Sequence, residues 1–348
     1  MANFDDFKLA IEAATGGKNT VILDDIGMPS VMVAIPQMMN THLFAGGSYK
    51  IHPGFIVNGD AKECMYISKY QNIVMKDRGY SLPMKKPAAY VNFDTALSYC
   101  RNKGNGWCLT PMSLWAAIAL WSRKNGTMPS GNNNYGHDDN KGWEYGVPVR
   151  GHLDEGDDTE YCYTGSGPAS WYHDGTMAGI ADMNGNVWEW NAGLRLNNGE
   201  IQIIPDANCF DNSVSMAASS SAWKAINKNG ELVSPGSANT LKYDAASGIQ
   251  LSTSITKSGY GSCQYTDMSS ASGITVPELV KSLILYPDEP GGDYSDDYRY
   301  MNNSGERLPI CGGHWGSYVD AGVFCVLLYY LRSTAYGYFG FRSAFCNL

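Results

Sequence analysis

Apolar residues recur at a helical period in four stretches of the chain. Phe4, Phe7, Ile11 and Ala14 share one face of a segment that Gly16-Gly17 ends, which predicts a helix over residues 4–14. Residues 93–103 (FDTALSYCRNK) read as a second helix. Residues 110–124 (TPMSLWAAIALWSRK) read as a third, with Thr110 at the N-cap, Pro111 at the first helical position, and Leu114, Ala117, Ile118 and Trp121 as its apolar face. A short helix is expected at 277–286. Between the first two helices, residues 20–60 hold the short apolar runs VIL, VMVAI and FIV among Gly and Pro, the pattern of short strands. In DMNGNVWEW (182–190), Asn184-Gly185 signals a turn and Val187, Trp188 and Trp190 a strand. From Cys311 onward the pattern predicts a glycine turn, an apolar strand (323–331), a Tyr/Gly turn (334–340) and a closing strand (341–346). Adjacent Tyr329 and Tyr330 would then point to opposite faces. Residues 125–186 are rich in Gly, Asn and Asp. Residues 207–275 are rich in Ser, Ala and Asn with weak periodicity, and read as a long insertion with local structure, since a structureless loop of that length is rare.

Composition narrows the class. The 348 residues allow one large or two ordinary domains, and 44% apolar with 12% aromatic content supports a sizeable core. High counts of Gly (39) and Tyr (23) favour a turn-rich, β-containing fold over a helical bundle. A net charge of −9 with no basic stripe argues against a nucleic-acid partner. No run of eighteen apolar residues exists, so no membrane insertion is expected. The beginning of the chain lacks the basic-then-apolar pattern of a signal peptide, which suggests synthesis in the cytoplasm and leaves display on a virion or, by another route, a cell surface open. Nine scattered cysteines without a CxxC fit reduced, buried thiols better than a disulfide framework.

Three short signatures occur in order: Gly185–Trp190 (GNVWEW), Gly312-Gly313-His314-Trp315, and Gly340-Phe341-Arg342. Together they resemble the formylglycine-generating-enzyme branch of the C-type-lectin-like fold. That resemblance implies an α+β fold of short antiparallel strands, two or three helices and long loops. It implies a segment of helix and short strands at 1–48 and a lectin-like domain at 49–348, with an insertion at about 191–307. The copper-dependent oxidases of that branch carry two cysteines just after the Gly-Gly turn, a soft ligand pair for Cu(I). The matching positions here are Ser317 and Gly322, neither a ligand, and Cys311 and Cys325 do not have the spacing. The six histidines show no ligand spacing either.

The last segment is similar to the variable proteins of diversity-generating retroelements, whose pattern of fixed and variable positions matches AGVF at 321–324, Arg332-Ser333 and GFRSA at 340–344. Adenine mutagenesis of Asn codons cannot yield Lys, Glu, Gln, Met or Trp, and residues 316–339 contain none of these. The resemblance implies a non-enzymatic protein that binds a protein or glycan, on a cell surface, through a variable segment at 311–348. The site residues it implies are Gly316, Ser317, Tyr318, Asp320, Leu327, Tyr329, Tyr330, Thr334, Tyr336, Gly337 and Tyr338. Tyr suits such a face because it offers large amphipathic contact at low entropic cost. Alternatives are an oxidase of the formylglycine-generating type and a structural virion domain. Monomer and trimer both remain open. Trp188 and Trp190 read as core, and Arg342 as a tie for the chain end. The acidic runs Asp154–Asp158 and Asp293–Asp297 offer the hard oxygens that Ca²⁺ prefers, but neither matches an EF-hand loop and a solvated loop is the plainer reading. No other cofactor is expected.

Overall fold

The computed structural model describes residues 4–149 and 160–348. The architecture is α+β, mostly short strands with few helices, as the sequence pattern implies. Helix α1 spans Asp5–Thr15, α2 Phe93–Arg101 and α3 Met112–Lys124. Eleven strands form the two sheets that position the candidate site. In chain order they are β1 (Asn19–Leu23), β2 (Pro29–Pro36), β3 (Cys64–Ser68), β4 (Trp107–Leu109), β5 (Trp188–Trp190), β6 (Tyr260–Gln264), β7 (Tyr298–Asn302), β8 (Ile310–Cys311), β9 (Val326–Leu328), β10 (Phe339–Phe341) and β11 (Ser343–Phe345).

The first sheet runs β1-β2-β3-β11-β4, antiparallel throughout, so the end of the chain is threaded between two earlier strands. The second runs β6-β7-β9-β8-β5-β10, with parallel pairs at β7/β9 and β5/β10. A third sheet of eight short strands, among the described residues, occupies the insertion between Leu194 and Arg307. Strands of two to four residues leave little periodic signal, which is why that sheet is invisible in the sequence.

Several expectations need correction. Thr110 does not cap α3. Pro111 takes the cap position without a side-chain bond, and the Thr110 hydroxyl donates instead to the carbonyl of Arg342 at 2.9 Å. Helix α3 is buried nearly all round rather than along one face, because the short helical turns Asn40–Leu43, Pro53–Phe55 and Glu278–Ser282 also pack on it. In α1, Ala14 is exposed while Phe4, Phe7 and Ile11 are half-buried. The helix expected at 277–286 stops at Ser282, and Ile284 has a left-handed φ of 47°. The expected strand 323–331 shrinks to β9. Before it, Ala321–Cys325 bends around Asp297, whose carboxylate accepts the Phe324 N–H at 2.6 Å. After it, Tyr329 and Tyr330 have left the ladder, so their rings meet edge to face at 5.1 Å instead of pointing to opposite faces. The closing strand is split at Arg342 into β10 and β11, one in each sheet.

Candidate ligand-binding face

The frame beneath the last segment is held by bonds from outside that segment. Arg342 is fully buried and its guanidinium donates to Glu189, Ser68 and Ala181, so it ties the chain end down, as expected. Gly312 and Gly313 have φ of 94° and 85°; a Cβ on Gly312 would lie 2.9 Å from the Met183 carbonyl oxygen, and one on Gly313 2.5 Å from the Ala321 Cβ. The Gly312 carbonyl accepts the Gly185 N–H at 2.9 Å, joining this turn to the Asn184-Gly185 turn. Trp115 of α3 donates its indole N–H to the Val323 carbonyl at 2.8 Å. Trp188 and Trp190 are both buried, in line with the core reading.

On this frame the rings form a continuous tract. Tyr329 touches Tyr330 (5.1 Å), Tyr330 touches Tyr336 (5.5 Å), and Tyr336 stacks on Tyr338 (5.5 Å, 21° between planes). Tyr338 meets His314 at 4.5 Å, and His314 stacks on Trp315 at 5.2 Å. The expected site residues therefore divide. Tyr329 and Tyr336 are exposed, whereas Tyr330 and Tyr338 are half-buried and lean on Phe339 at 4.8 and 5.2 Å. Tyr318 lies apart, 6.2 Å from Tyr135, exposed and with a left-handed φ of 52° that its N–H bond to the Asn133 carbonyl holds. Gly316 sits between the Tyr318 and Tyr338 groups, near the His314 and Tyr135 side chains.

Other members of the set are committed internally. The Ser317 hydroxyl accepts the His314 N–H at 3.0 Å, and His314 Nδ1 accepts the Gly316 N–H at 2.8 Å. Burial holds the His314 ring neutral, its pKa lowered to about 4. Asp320 accepts the Tyr300 hydroxyl at 2.5 Å. Thr334 closes a turn by donating its N–H to Leu331. The Gly337 carbonyl accepts the Tyr161 hydroxyl, and a Cβ there would come 3.0 Å from the Tyr90 hydroxyl. Leu327 lies half-buried in β9, in register with Tyr300.

Sequence reasoning missed the aromatic residues that flank this segment from elsewhere in the chain. Tyr90, Tyr135 and Tyr161 border one end, with the Lys86 ammonium 4.4 Å from the Tyr161 ring centroid. Tyr260 borders the other, 5.7 Å from Tyr329. Tyr298 and Tyr300 extend that border, and their spacing of two on a strand was the available signal.

Asp293–Asp297 is a folded turn. Asp293 accepts the Ser295 N–H, Asp296 accepts from Gln264, and buried Asp297 clamps Phe324. Asp154–Asp158 lies outside the described residues. Among the described residues no group of three or more His, Cys, Asp or Glu could hold a metal ion. All nine cysteines are free, with Cys311 and Cys325 buried and the Cys311 thiol 3.8 Å from the Met112 sulfur. No helix of the described residues is long and apolar enough to cross a membrane.

No protein-family model and no curated protein matches the chain. Among solved structures it is similar to the Major Tropism Determinant P3c variant, at 10% identity and a TM-score of 0.33, over 94% of this chain and 71% of that one. It is similar to Treponema denticola variable protein 1 at 12% identity and a TM-score of 0.34, over 94% and 98%. It is also similar to PvdO from Pseudomonas aeruginosa at 14% identity and a TM-score of 0.32, over 94% and 97%.

Proposed function

We propose that this is a ligand-binding protein with a C-type-lectin-like frame of the formylglycine-generating type, whose segment 311–348 is diversified by a retroelement to recognise varied cell-surface proteins or glycans. The observation that carries the reading is the Tyr329–Tyr338 ring tract standing on backbone fixed by Arg342, Gly313 and Trp115. Such an arrangement lets contact residues change while the frame stays folded. The Ser317 and Gly322 positions support binding over thiol oxidation. Ser317 is bonded to His314, and a Cβ at Gly322 would fall 2.0 Å from an Asp297 carboxylate oxygen, which leaves no room for a cysteine. Display on a virion or cell surface suits this role.

Sequencing the flanking DNA tests it. The reading expects a near-copy of the 311–348 coding region with adenines at the differing positions, beside a reverse-transcriptase gene. A flank without that copy, together with one invariant allele across the lineage, contradicts it.

A further inference from the structure

The second sheet presents an aromatic strip that does not belong to the last segment. Antiparallel pairing sets Tyr260 opposite Asn302, Ser262 opposite Tyr300 and Gln264 opposite Tyr298, so these side chains share one face. The alternate residues of β7, Arg299 and Met301, are buried on the other face. Tyr260 is exposed, and Tyr298 and Tyr300 are half-buried with ring centroids 5.1 Å apart and planes tilted by 39°. The tilt keeps the two rings from forming one flat platform. Carboxylates flank it: Asp320 is bonded to the Tyr300 hydroxyl, and Asp296 to Gln264. The strip joins the ligand face through the edge contact of Tyr260 with Tyr329 and through the pairing of Tyr300 with Leu327.

The Lys and Arg heads that lie over rings among the described residues cover Tyr70, Tyr80, Trp107, Tyr161, Tyr172, Trp223, Phe93, Tyr265 and Tyr294, and none covers Tyr260, Tyr298 or Tyr300. Nearby Arg307 donates to the carbonyls of Ser304 and Tyr329 instead. Ring faces carry negative potential and attract cations, and adjacent carboxylates add to that attraction.

We propose that Tyr260, Tyr298 and Tyr300, with Asp296 and Asp320, form a cation-binding subsite that takes a Lys or Arg side chain from a protein ligand. The proposal rests on the ligand-face reading and deepens it. Four of these five residues lie outside the diversified segment, so the subsite supplies a fixed anchor beside a variable surface. A sugar would stack better on one flat, open ring than on a tilted pair.

The test is calorimetric titration of the full chain with hexa-arginine amide, and separately with maltohexaose, at low salt. The combined Tyr260→Leu, Tyr298→Leu variant keeps apolar bulk and removes the π faces. It should weaken hexa-arginine binding about three- to fivefold or more, and Asp296→Asn should weaken it as well. Asp60→Asn, at an exposed position of the Ile56–Ala61 hairpin, should leave it unchanged. Thermal unfolding of each variant confirms that it is folded. Unchanged hexa-arginine affinity in the Leu variant overturns the proposal. So does maltohexaose binding that the Leu variant abolishes while peptide binding persists. The flanking-DNA test can fail without touching this result, so the two readings fail separately.

Discussion

Arg342 and Glu189 meet in a buried fork, Nε to Oε2 and Nη2 to Oε1, each at 2.6 Å. The fork sits where the chain leaves β10 for β11, so it fixes the crossover between the two sheets. Gln71 donates to the same carboxylate at 3.1 Å. Removing one partner of a buried ion pair leaves the other charge uncompensated. Glu189→Gln should therefore cost about 3–5 kcal/mol in urea denaturation. A variant that unfolds at the wild-type midpoint would show that the fork is not what holds the crossover.

The glycines of the frame and of the face should behave differently. Gly313→Ala forces a Cβ to 2.5 Å from Ala321 at a φ of 85°, and Gly340→Ala forces one to 2.5 Å from the Ala88 carbonyl oxygen. Each should destabilise by about 1–3 kcal/mol. Gly316→Ala meets nothing nearer than the His314 Cε1 at 3.1 Å and the Tyr135 hydroxyl at 3.4 Å, without positive φ. It should stay within about 1 kcal/mol of wild type. Equilibrium denaturation of the three variants separates these outcomes, and equal losses at 313 and 316 would contradict the division.

Burial also sets a pH dependence. His52 and His314 are held neutral, with pKa values lowered to about 4, and burial lowers His173 likewise. The unfolded chain titrates these rings near 6.5, so between pH 6.5 and 4 it binds protons that the folded chain refuses, and stability falls as pH falls. Asp182 works the other way. Burial raises its pKa to about 6, so below that pH the folded state binds the extra proton, a gain complete near the ordinary carboxylate pKa. Burial raises the Asp297 and Asp206 carboxyls in the same direction, so the histidine contribution is read by substitution: the urea midpoint of His52→Gln relative to wild type should rise from pH 7 to pH 5. Lys103, buried beside Ser30 and over the Trp107 ring, has its pKa lowered to about 7. Its penalty is full below that value and fades toward pH 10.5, so Lys103→Met should gain most relative to wild type below pH 7. A difference between His52→Gln and wild type that stays constant from pH 7 to 5 would count against a neutral His52.

Much of this frame was legible beforehand. The ends of α2 lay within two residues of the expected bounds, because Asn92 caps it and its 3.6-residue pattern is clean. The β5 strand, the Gly-Gly turn and the tie at Arg342 also followed from short local motifs. What escaped was set by distant partners. Only the fold brings the Asp297 carboxylate to Phe324, and that contact shortens β9. The Thr110 hydroxyl abandons its helix for a carbonyl at the far end of the chain. Tyr260 and Tyr90 reach the proposed ligand face from remote segments, and no spacing within the last forty residues could reveal them.

The proposed ligand face and its frame should be energetically separate. Tyr318, Tyr329 and Tyr336 expose 46%, 38% and 44% of their surface, while Phe341 exposes none. Tyr338 is half-buried against His314 and Phe339, so its ring supports the tract as well as facing outward. The direct measurement is the equilibrium unfolding free energy of single Ala variants. Tyr318→Ala, Tyr329→Ala and Tyr336→Ala should each stay within about 1 kcal/mol of wild type. Tyr338→Ala should lose about 1–3 kcal/mol, and Phe341→Ala about 3–5 kcal/mol. If the three exposed Tyr variants unfold readily while Phe341→Ala melts like wild type, face and frame have been assigned the wrong way round.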